Sequence, residues 1–596
     1  TTHMRIHNSL VQFYLGLFIE LYTDVANRYS LCQRKKNAEL RCLTTRTMHE
    51  GTSFLTKSLP SLGKQFDNCL SGGGRFCPVG LCKEQRGGLP RFLGWILKRV
   101  LADDGQLLAE PDPVAVKDYR QLVYLLYKLE IPYDAETEEK VLNAFCQVEE
   151  ELANYQLPEN YRKCTALART LVCRVLRDAN PTGEDFTPRH GPGAVSTGEG
   201  VLEKTTFSRI YRALEQVYPF TEYMMFSPSH IADRYTWIQS LEELEVGTAK
   251  VVLVPKDSRG PRLISCEPLE YMWIQQGLGT EIKRCIESSR LTRGHVNFRD
   301  QETNRRLALL GSRTGEWVTL DMKDASDRVS LELVKTLFGG TVVLEALLAS
   351  RTTSTRLPNG SVVPLSKFAP MGSNLCFPVE ALVFWALTVS VLVTYARLPL
   401  QRALTDVYVY GDDIIVRRGV YAHVLRHLPS YSLKFNEAKC CVAGLFRESC
   451  GCDAFSGVDV TPVKIKTTWS RRVQYTADPI TSYVSYSNAL WERGYGLAAE
   501  YIRLHVEALY GPLPIVPSQP VAALGFVREF TTQESKRLKR RYNMRLCRRE
   551  VYSWSVSSVN VTDITDGWEA MVRRNRPTVG SEPGQYALRR RTKLKR

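Results

Sequence analysis

The sequence predicts an α+β protein, and three observations carry that reading. The first 180 residues are patterned mainly as helices. From Val251 onward, short β-rich runs alternate with helical stretches. After about residue 470 the pattern is helical again and then turns basic. At 596 residues the chain is too long for one compact core, so several subdomains are expected.

Taken in order, Val141, Phe145, Val148 and Leu152 recur at helical spacing among acids. Residues 166–179 form a second helical run, which Asn180-Pro181 should end. Ser71-Gly-Gly-Gly-Arg75 reads as a loop. The Gly- and Pro-rich stretch 187–200 misses the dinucleotide fingerprint, because Ser196 stands where the third glycine belongs. There is no Walker A loop, no Gly-x-Ser-x-Gly elbow, no His-Glu-x-x-His and no internal repeat, which removes the reactions those motifs serve.

The strand candidates are 251–254, 317–320, Val407–Tyr410 and 414–416, with helices Leu331–Phe338 and 381–396 between them. The last of these holds Thr388, Ser390 and Thr394 and falls short of the roughly 20 residues of a membrane span. It is expected as a buried helix, with no membrane partner. Residues 10–19 are apolar, but Glu20 and Asp24 follow without a cleavage pattern, so no signal peptide is expected. The chain opens on Thr1 rather than Met, so the natural start is expected to be missing.

Lys and Arg total 79 against 63 Asp and Glu, a net charge of +16. The excess is concentrated: residues 536–596 hold 17 basic and 5 acidic residues. Eight basic residues fall within 536–549, a density suited to phosphate contacts without base reading. The terminal run 589–596 is expected to stay disordered until RNA or a partner binds. The 16 cysteines show no disulfide framework or zinc spacing and read as reduced thiols of a cytosolic protein. His423 and His427 share a helical face without an acidic ligand, so an exposed surface is expected rather than a metal site.

The informative stretch is Val407-Tyr-Val-Tyr-Gly-Asp-Asp-Ile-Ile-Val416. Two strand-like runs meet at Gly411-Asp412, a tight turn in which glycine accepts positive φ, so Asp412 and Asp413 stand at the bend. The apolar flanks lack alternation, as in strands buried on both faces. Adjacent carboxylates in such a place repel and take up protons unless cations hold them. A second run, Trp317-Val-Thr-Leu-Asp321, ends in another acid before a helix. If the two runs are neighbours, Asp321 faces Asp412. Hard oxygen ligands at a partly open site suit Mg²⁺, and two ions about 4 Å apart would clamp an in-line phosphoryl transfer. Asp321, Asp412 and Asp413 are therefore the candidate metal ligands, with Mn²⁺ as a possible substitute. Asp324 is expected to be an ordinary turn or cap residue.

The order of a Lys/Arg loop, the Asp321 strand, a Gly-rich helix start and Tyr410-Gly411-Asp412-Asp413 resembles the palm of RNA-directed RNA polymerases. It is most similar to the replicase catalytic subunit of single-stranded RNA bacteriophages, the leviviruses, from at least Arg189 to Lys466. The stretch 51–63 is also similar. The resemblance implies a right-hand polymerase with fingers, palm and thumb, the palm an antiparallel sheet backed by helices. Residues 1–245 would be an N-terminal segment and fingers, 246–310 fingers with a basic nucleotide channel, 311–467 the palm, and 468–596 thumb and tail.

Residue by residue, Lys256, Arg259 and Arg262 resemble the fingers motif that handles the triphosphate. Asp327 matches the residue that senses the ribose hydroxyl. Gly372, Ser373 and Asn374 fall in the second palm motif, Gly372 allowing close approach to template and nucleotide. That motif departs from the broad polymerase pattern at Cys376 and Glu380, although the phage family shares the Glu. Lys439 resembles a lysine that protonates departing pyrophosphate. The stretch 446–462 implies a hairpin near the primer end. A segment at 297–305 is also family-like, without an implied role.

The function implied is replication of a viral RNA genome from ribonucleoside triphosphates in a bacterial cytoplasm. RNA template and product are the partners, with host elongation factors Tu and Ts and a ribosomal protein as implied subunits. A narnavirus-like replicase of another host stays open, since host is not written in the motifs. A reverse transcriptase shares the palm, but Gly411 and Asp327 speak against it. An inactive RNA-binding protein is the alternative from another class.

Overall fold

Helix Cys376–Thr394 organises the largest hydrophobic core among the described residues. Its side chains are buried without interruption from Pro378 to Leu392, as expected of a helix that is apolar on every side. At 19 residues and a mean hydropathy of 2.0 it is long and apolar enough to cross a membrane, contrary to the sequence estimate, but 89% of it is buried inside the protein. It packs against helix Arg162–Val175 and strand Val407–Tyr410, and its core takes in helices Leu269–Ser288 and Leu331–Phe338.

The chain was described by a computed structural model covering residues 2–595, except 73, 82–87, 192, 201–202, 475–477, 517–522, 530–536, 560–566 and 576–590. Helices and several small sheets share it, in keeping with an α+β fold.

The second core joins parts distant in sequence. Helices Thr2–Arg28, Leu59–Leu70 and Pro113–Tyr124 pack with Asp478–Glu492 and Gly496–Tyr510. The apolar stretch at 10–19 is buried here, and a Cβ added at Gly16 would lie 2.3 Å from the Tyr501 hydroxyl. Buried residues from 13–129 and from 441–526 thus share one interior.

Three sheets matter for the site. One is antiparallel, in the order Lys434–Phe435, Trp317–Lys323, Asp413–Arg417, Val407–Tyr410. A second carries the long hairpin Thr248–Asp257 and Gly260–Cys266. The third pairs Phe446–Ser449 with Cys452–Phe455.

Several local expectations are corrected. The predicted helix at 166–179 spans Arg162–Val175. It stops before Asn180-Pro181, and the Asn180 N–H instead donates to Glu281. His427 does not lie on a bare surface: its ring stacks 3.9 Å from that of Tyr395 and its Nδ1 is 2.9 Å from the Tyr161 hydroxyl. Within 536–549, the described residues contribute to a hairpin of Arg540–Asn543 and Arg548–Val551. Residues Arg591–Lys595, expected to be disordered, form a strand antiparallel to Ser555–Val559. Their alternating sequence has strand periodicity and sets Leu594 opposite Val556. Among the described residues no disulfide joins two cysteines.

Candidate active site

Strand Trp317–Lys323 and strand Asp413–Arg417 pair in a register that sets Asp321 directly opposite Asp413. The apolar residues fix this. Val318, Leu320, Ile414 and Val416 are all buried, and a slip of one residue would turn each to the other face. Tyr410 pairs with Asp413, leaving Gly411-Asp412 as the two-residue turn, with Gly411 at φ +60°. A Cβ there would lie 2.2 Å from the Phe377 ring, so the turn needs glycine for space as well as for conformation.

The family-like segment at 297–305 supports this hairpin. The Tyr410 hydroxyl donates to the Phe298 carbonyl at 3.1 Å and accepts from Gln301 Nε2 at 3.1 Å. The Val409 N–H donates to the His295 carbonyl, and the Asn297 N–H donates to that of Val409. On the other side, the turn of the 446–455 hairpin reaches the site: the Cys450 N–H donates to Asp413 Oδ2 at 2.9 Å. Cys450 and Gly451 both have positive φ there.

The three aspartates feel one another. Burial, then the charge of Asp412, push Asp413 up to about 7. Asp412 stands at the exposed tip, yet the surrounding protein raises it, and Asp321 next. Asp321 has polar partners of its own: Asn436 Nδ2 donates to its Oδ2 at 3.0 Å, and the Lys439 ammonium lies 3.6 Å from its Oδ1. Lys439 is also 3.8 Å from Glu448, whose charge, with those of the aspartates, holds the ammonium protonated above its usual range. A cation thus already stands among the acids. Among the described residues no three His, Cys, Asp or Glu side chains converge closely enough to enclose a metal as they stand. The donor set is nonetheless one of hard oxygens; burial and then neighbouring charge raise Asp412 and Asp413, and a divalent cation would relieve that repulsion.

Asp327 lies in the turn Ser326–Arg328 and does not cap the helix after it; Ser330 does, accepting from the Leu333 N–H. The Asp327 carboxylate is held by Lys367 at 2.6 Å. Lys367 is fully buried, bridges to Glu149 at 3.0 Å and lies 3.9 Å from the centre of the Phe145 ring. No sequence signal marked Lys367, which stands 40 residues from its partner. Asp324 is an exposed turn residue at φ +52° rather than a cap. Beneath them, Glu380 is buried with Oε2 unbonded among the described residues. Burial, Asp412 and Asp327 raise its carboxyl well above the usual range.

The basic run proves to be a hairpin. Lys256 ends one strand, Arg259 occupies the turn, and Arg262 pairs opposite Val254. Arg259 is bonded to the buried Asp257 at 2.7 Å but keeps more than half its side chain exposed. Lys256 is lowered by the surrounding protein and by Arg262. Of these cations, Arg262 lies near enough for its charge, with that of Lys439, to act on Asp412, and Lys439 acts in turn on Lys256.

The second-motif residues also make contacts within the protein. The close approach of Gly372 (φ +124°) is to the protein itself, where a Cβ would lie 2.0 Å from the Ser265 carbonyl oxygen. Buried Ser373 donates from Oγ to Gln275 Oε1, and Asn374 donates to the Gln275 carbonyl. Both contacts tie the loop to helix Leu269–Ser288.

Residues 128–592 match a family model described as RNA replicase, beta-chain. Similar curated proteins include the RNA-directed RNA polymerase subunit beta of Qbeta virus (strain MX1), 30% identical over 52% of this chain and 50% of the relative. That of Escherichia virus Qbeta is 38% identical over 36% of this chain and 35% of the relative. The RNA-directed RNA polymerase beta chain of Escherichia phage MS2 is 33% identical over 36% and 37%, respectively. The chain therefore matches at most about half the length of these relatives. Every aspartate and cation of the site described above lies within the family match.

Proposed function

The chain belongs to the RNA replicase beta-chain family, and from that premise we propose that it is an RNA-directed RNA polymerase that copies a single-stranded viral RNA genome. The observation that carries this reading is the cross-strand pairing of Asp321 with Asp413 beside Asp412, with the charges of Lys439 and of Arg262 from the basic hairpin acting on Asp412. The reading includes a palm built on the four-stranded antiparallel sheet, fingers bearing the basic hairpin, and a thumb in the C-terminal helices.

Asp321, Asp412 and Asp413 would hold two Mg²⁺ ions, with Mn²⁺ able to substitute. When bound, such a pair lowers the pKa of the attacking 3′-hydroxyl and neutralises charge developing on the triphosphate. Lys256, Arg259 and Arg262 hold the triphosphate by charge-assisted hydrogen bonds. Lys439, kept protonated by its acidic neighbours, donates its proton to the leaving pyrophosphate. Asp327, fixed by Lys367, meets the ribose hydroxyl and selects ribonucleotides. RNA template and product are the protein's partners, in the cytoplasm of an infected bacterium. Elongation factors Tu and Ts and a ribosomal protein enter the proposal only through the family resemblance.

RNA synthesis by the purified protein tests this. With and without bacterial extract, on several RNA templates, ribonucleotides are expected to be incorporated and deoxyribonucleotides to be poor substrates. Equal use of both, or none of either under all conditions, would count against the reading.

A pH effect on stability follows. Asp413, like buried Glu267 and Glu270, sits near 7, against about 4 in an unfolded chain. Between those values the folded state binds more protons, so this contribution to stability is present at low pH and lost as pH rises through about 7. Without metal, the thermal midpoint is expected to be lower at pH 8 than at pH 6. Mg²⁺ binds the ionised aspartates, so it should raise the midpoint more at pH 8. An equal Mg²⁺ shift at both values in a thermal scan would contradict this.

A further inference from the structure

Helix Leu59–Leu70 lies in the N-terminal part of the chain, ahead of the family match, and one face of it reaches the basic hairpin. Gly63 sets its position. A Cβ there would fall 2.6 Å from the Tyr124 ring and 2.8 Å from Val123, so only glycine lets the helix lie this close to Pro113–Tyr124. Asp67, one turn on, is gripped by Arg120 at 2.7 and 3.0 Å and by the Tyr124 hydroxyl at 2.8 Å. The helix also touches the turn Glu437–Lys439.

This packing delivers Lys64 to Tyr127. The Lys64 ammonium lies 4.9 Å from the centre of the Tyr127 ring, and the Arg259 guanidinium lies 5.6 Å from the same ring. The Tyr127 hydroxyl is itself bonded to Asp257 at 3.2 Å. Lys64 therefore shares an aromatic platform with a residue of the basic hairpin, while its helix contacts the turn that carries Lys439.

The charges facing Lys64 are Arg259, Asp257 and Lys439. The single acid is engaged by Arg259 and Tyr127. No carboxylate of the described residues lies within ion-pair distance of Lys64. Burial and these cations lower its ammonium to about 8. A half-buried lysine drawn into a group of like charges is costly for the fold by itself. An anion of several charges, bound among Lys64, Arg259 and Lys439, offsets that cost.

We propose that Lys64 is a polyphosphate-binding residue, completing with Lys256, Arg259 and Arg262 the cationic wall that takes the triphosphate of the incoming nucleotide and the pyrophosphate leaving it. This rests on the polymerase reading and extends the nucleotide site into the N-terminal segment.

The test uses the full chain and two readouts. The first is equilibrium binding of ATP and of inorganic pyrophosphate with Mg²⁺ present. The second is the KM for each nucleotide in RNA synthesis. Lys64→Met is expected to weaken ATP and pyrophosphate binding about tenfold and to raise KM similarly for all four nucleotides, the scale of one charge-assisted contact. RNA affinity should change little, and the thermal midpoint without polyphosphate should stay the same or rise. Lys64→Arg, which keeps the charge, is expected to retain most of the affinity. The proposal is overturned if Lys64→Met binds both polyphosphates as wild type does, or if Lys64→Arg loses as much as Lys64→Met. It is also overturned if the wild-type chain binds neither polyphosphate. Binding that depends on Lys64 in a protein making no RNA would sustain this site and sink the polymerase reading instead.

Discussion

Asp412→Asn is expected to abolish RNA synthesis, by on the order of 1,000-fold, while RNA binding is unchanged. A metal-held carboxylate contributes several kcal/mol to the stabilisation of charge in phosphoryl transfer, and about 4 kcal/mol is a factor of about 1,000. The residue lies at the exposed tip of the Gly411-Asp412 turn, so its loss removes no core contact. The fold should gain slightly, because Asp412 is one cause of the raised carboxyl of Asp413. Loss of synthesis with an unchanged or higher thermal midpoint thus separates a catalytic role from a structural one. The decisive comparison is template-directed incorporation against filter-bound RNA. If Asp412→Asn retained synthesis within about tenfold of wild type, the two-metal assignment would fall. An RNA-binding protein without polymerase activity would show no difference between the two chains in either assay.

Arg120→Met should cost about 3–5 kcal/mol of stability, the usual range for removing one partner of a buried ion pair. The guanidinium is 3% exposed and joins three parts of the chain. It bonds Asp67 of helix Leu59–Leu70, Asp453 of strand Cys452–Phe455 at 2.9 Å, and the Val460 carbonyl at 2.7 Å. It also lies over the rings of Tyr124 and Phe446. Methionine would fill part of the volume and leave both carboxylates without their main counter-charge. Arg120→Lys is expected to recover little, because one ammonium cannot replace a fork holding two acids and a carbonyl. The measurement is the denaturant midpoint, together with the yield of soluble protein. A second consequence reaches the site. Asp453 belongs to the hairpin whose Cys450 N–H holds Asp413, so the variant should lose synthesis as its stability margin narrows. An unchanged midpoint would mean that Asp67 and Asp453 are neutralised by other groups.

Much of the candidate site was legible because its signals are local. An apolar run ending in Asp321 and a hairpin centred on Gly411-Asp412 are patterns of a few residues, and both strands lie where they were predicted. Lys256, Arg259 and Arg262 were visible as a spaced basic run, although the run was read as a loop and folds as a hairpin. Gly372 was marked as a place of close approach. What it approaches, the Ser265 carbonyl, sits more than 100 residues earlier and leaves no trace in the motif. Ser373 and Asn374 were legible as polar residues in a motif, but not as the partners of Gln275. Lys367 and Lys64 carried no signal of their own, since a single lysine is ordinary anywhere on a chain.

Alone, the sequence determined which segments become strands and helices, where carboxylates would stand at strand ends, and the resemblance that named their chemistry. Those properties follow from neighbours a few residues apart, through periodicity, turn conformation and charge. The tertiary structure alone decided that Asp321 lies opposite Asp413, that Lys367 holds Asp327, and that the first helices share an interior with Asp478–Glu492 and Gly496–Tyr510. Such choices depend on which buried faces fit together once the chain has folded, and contacts across hundreds of residues leave no local pattern from which to read them.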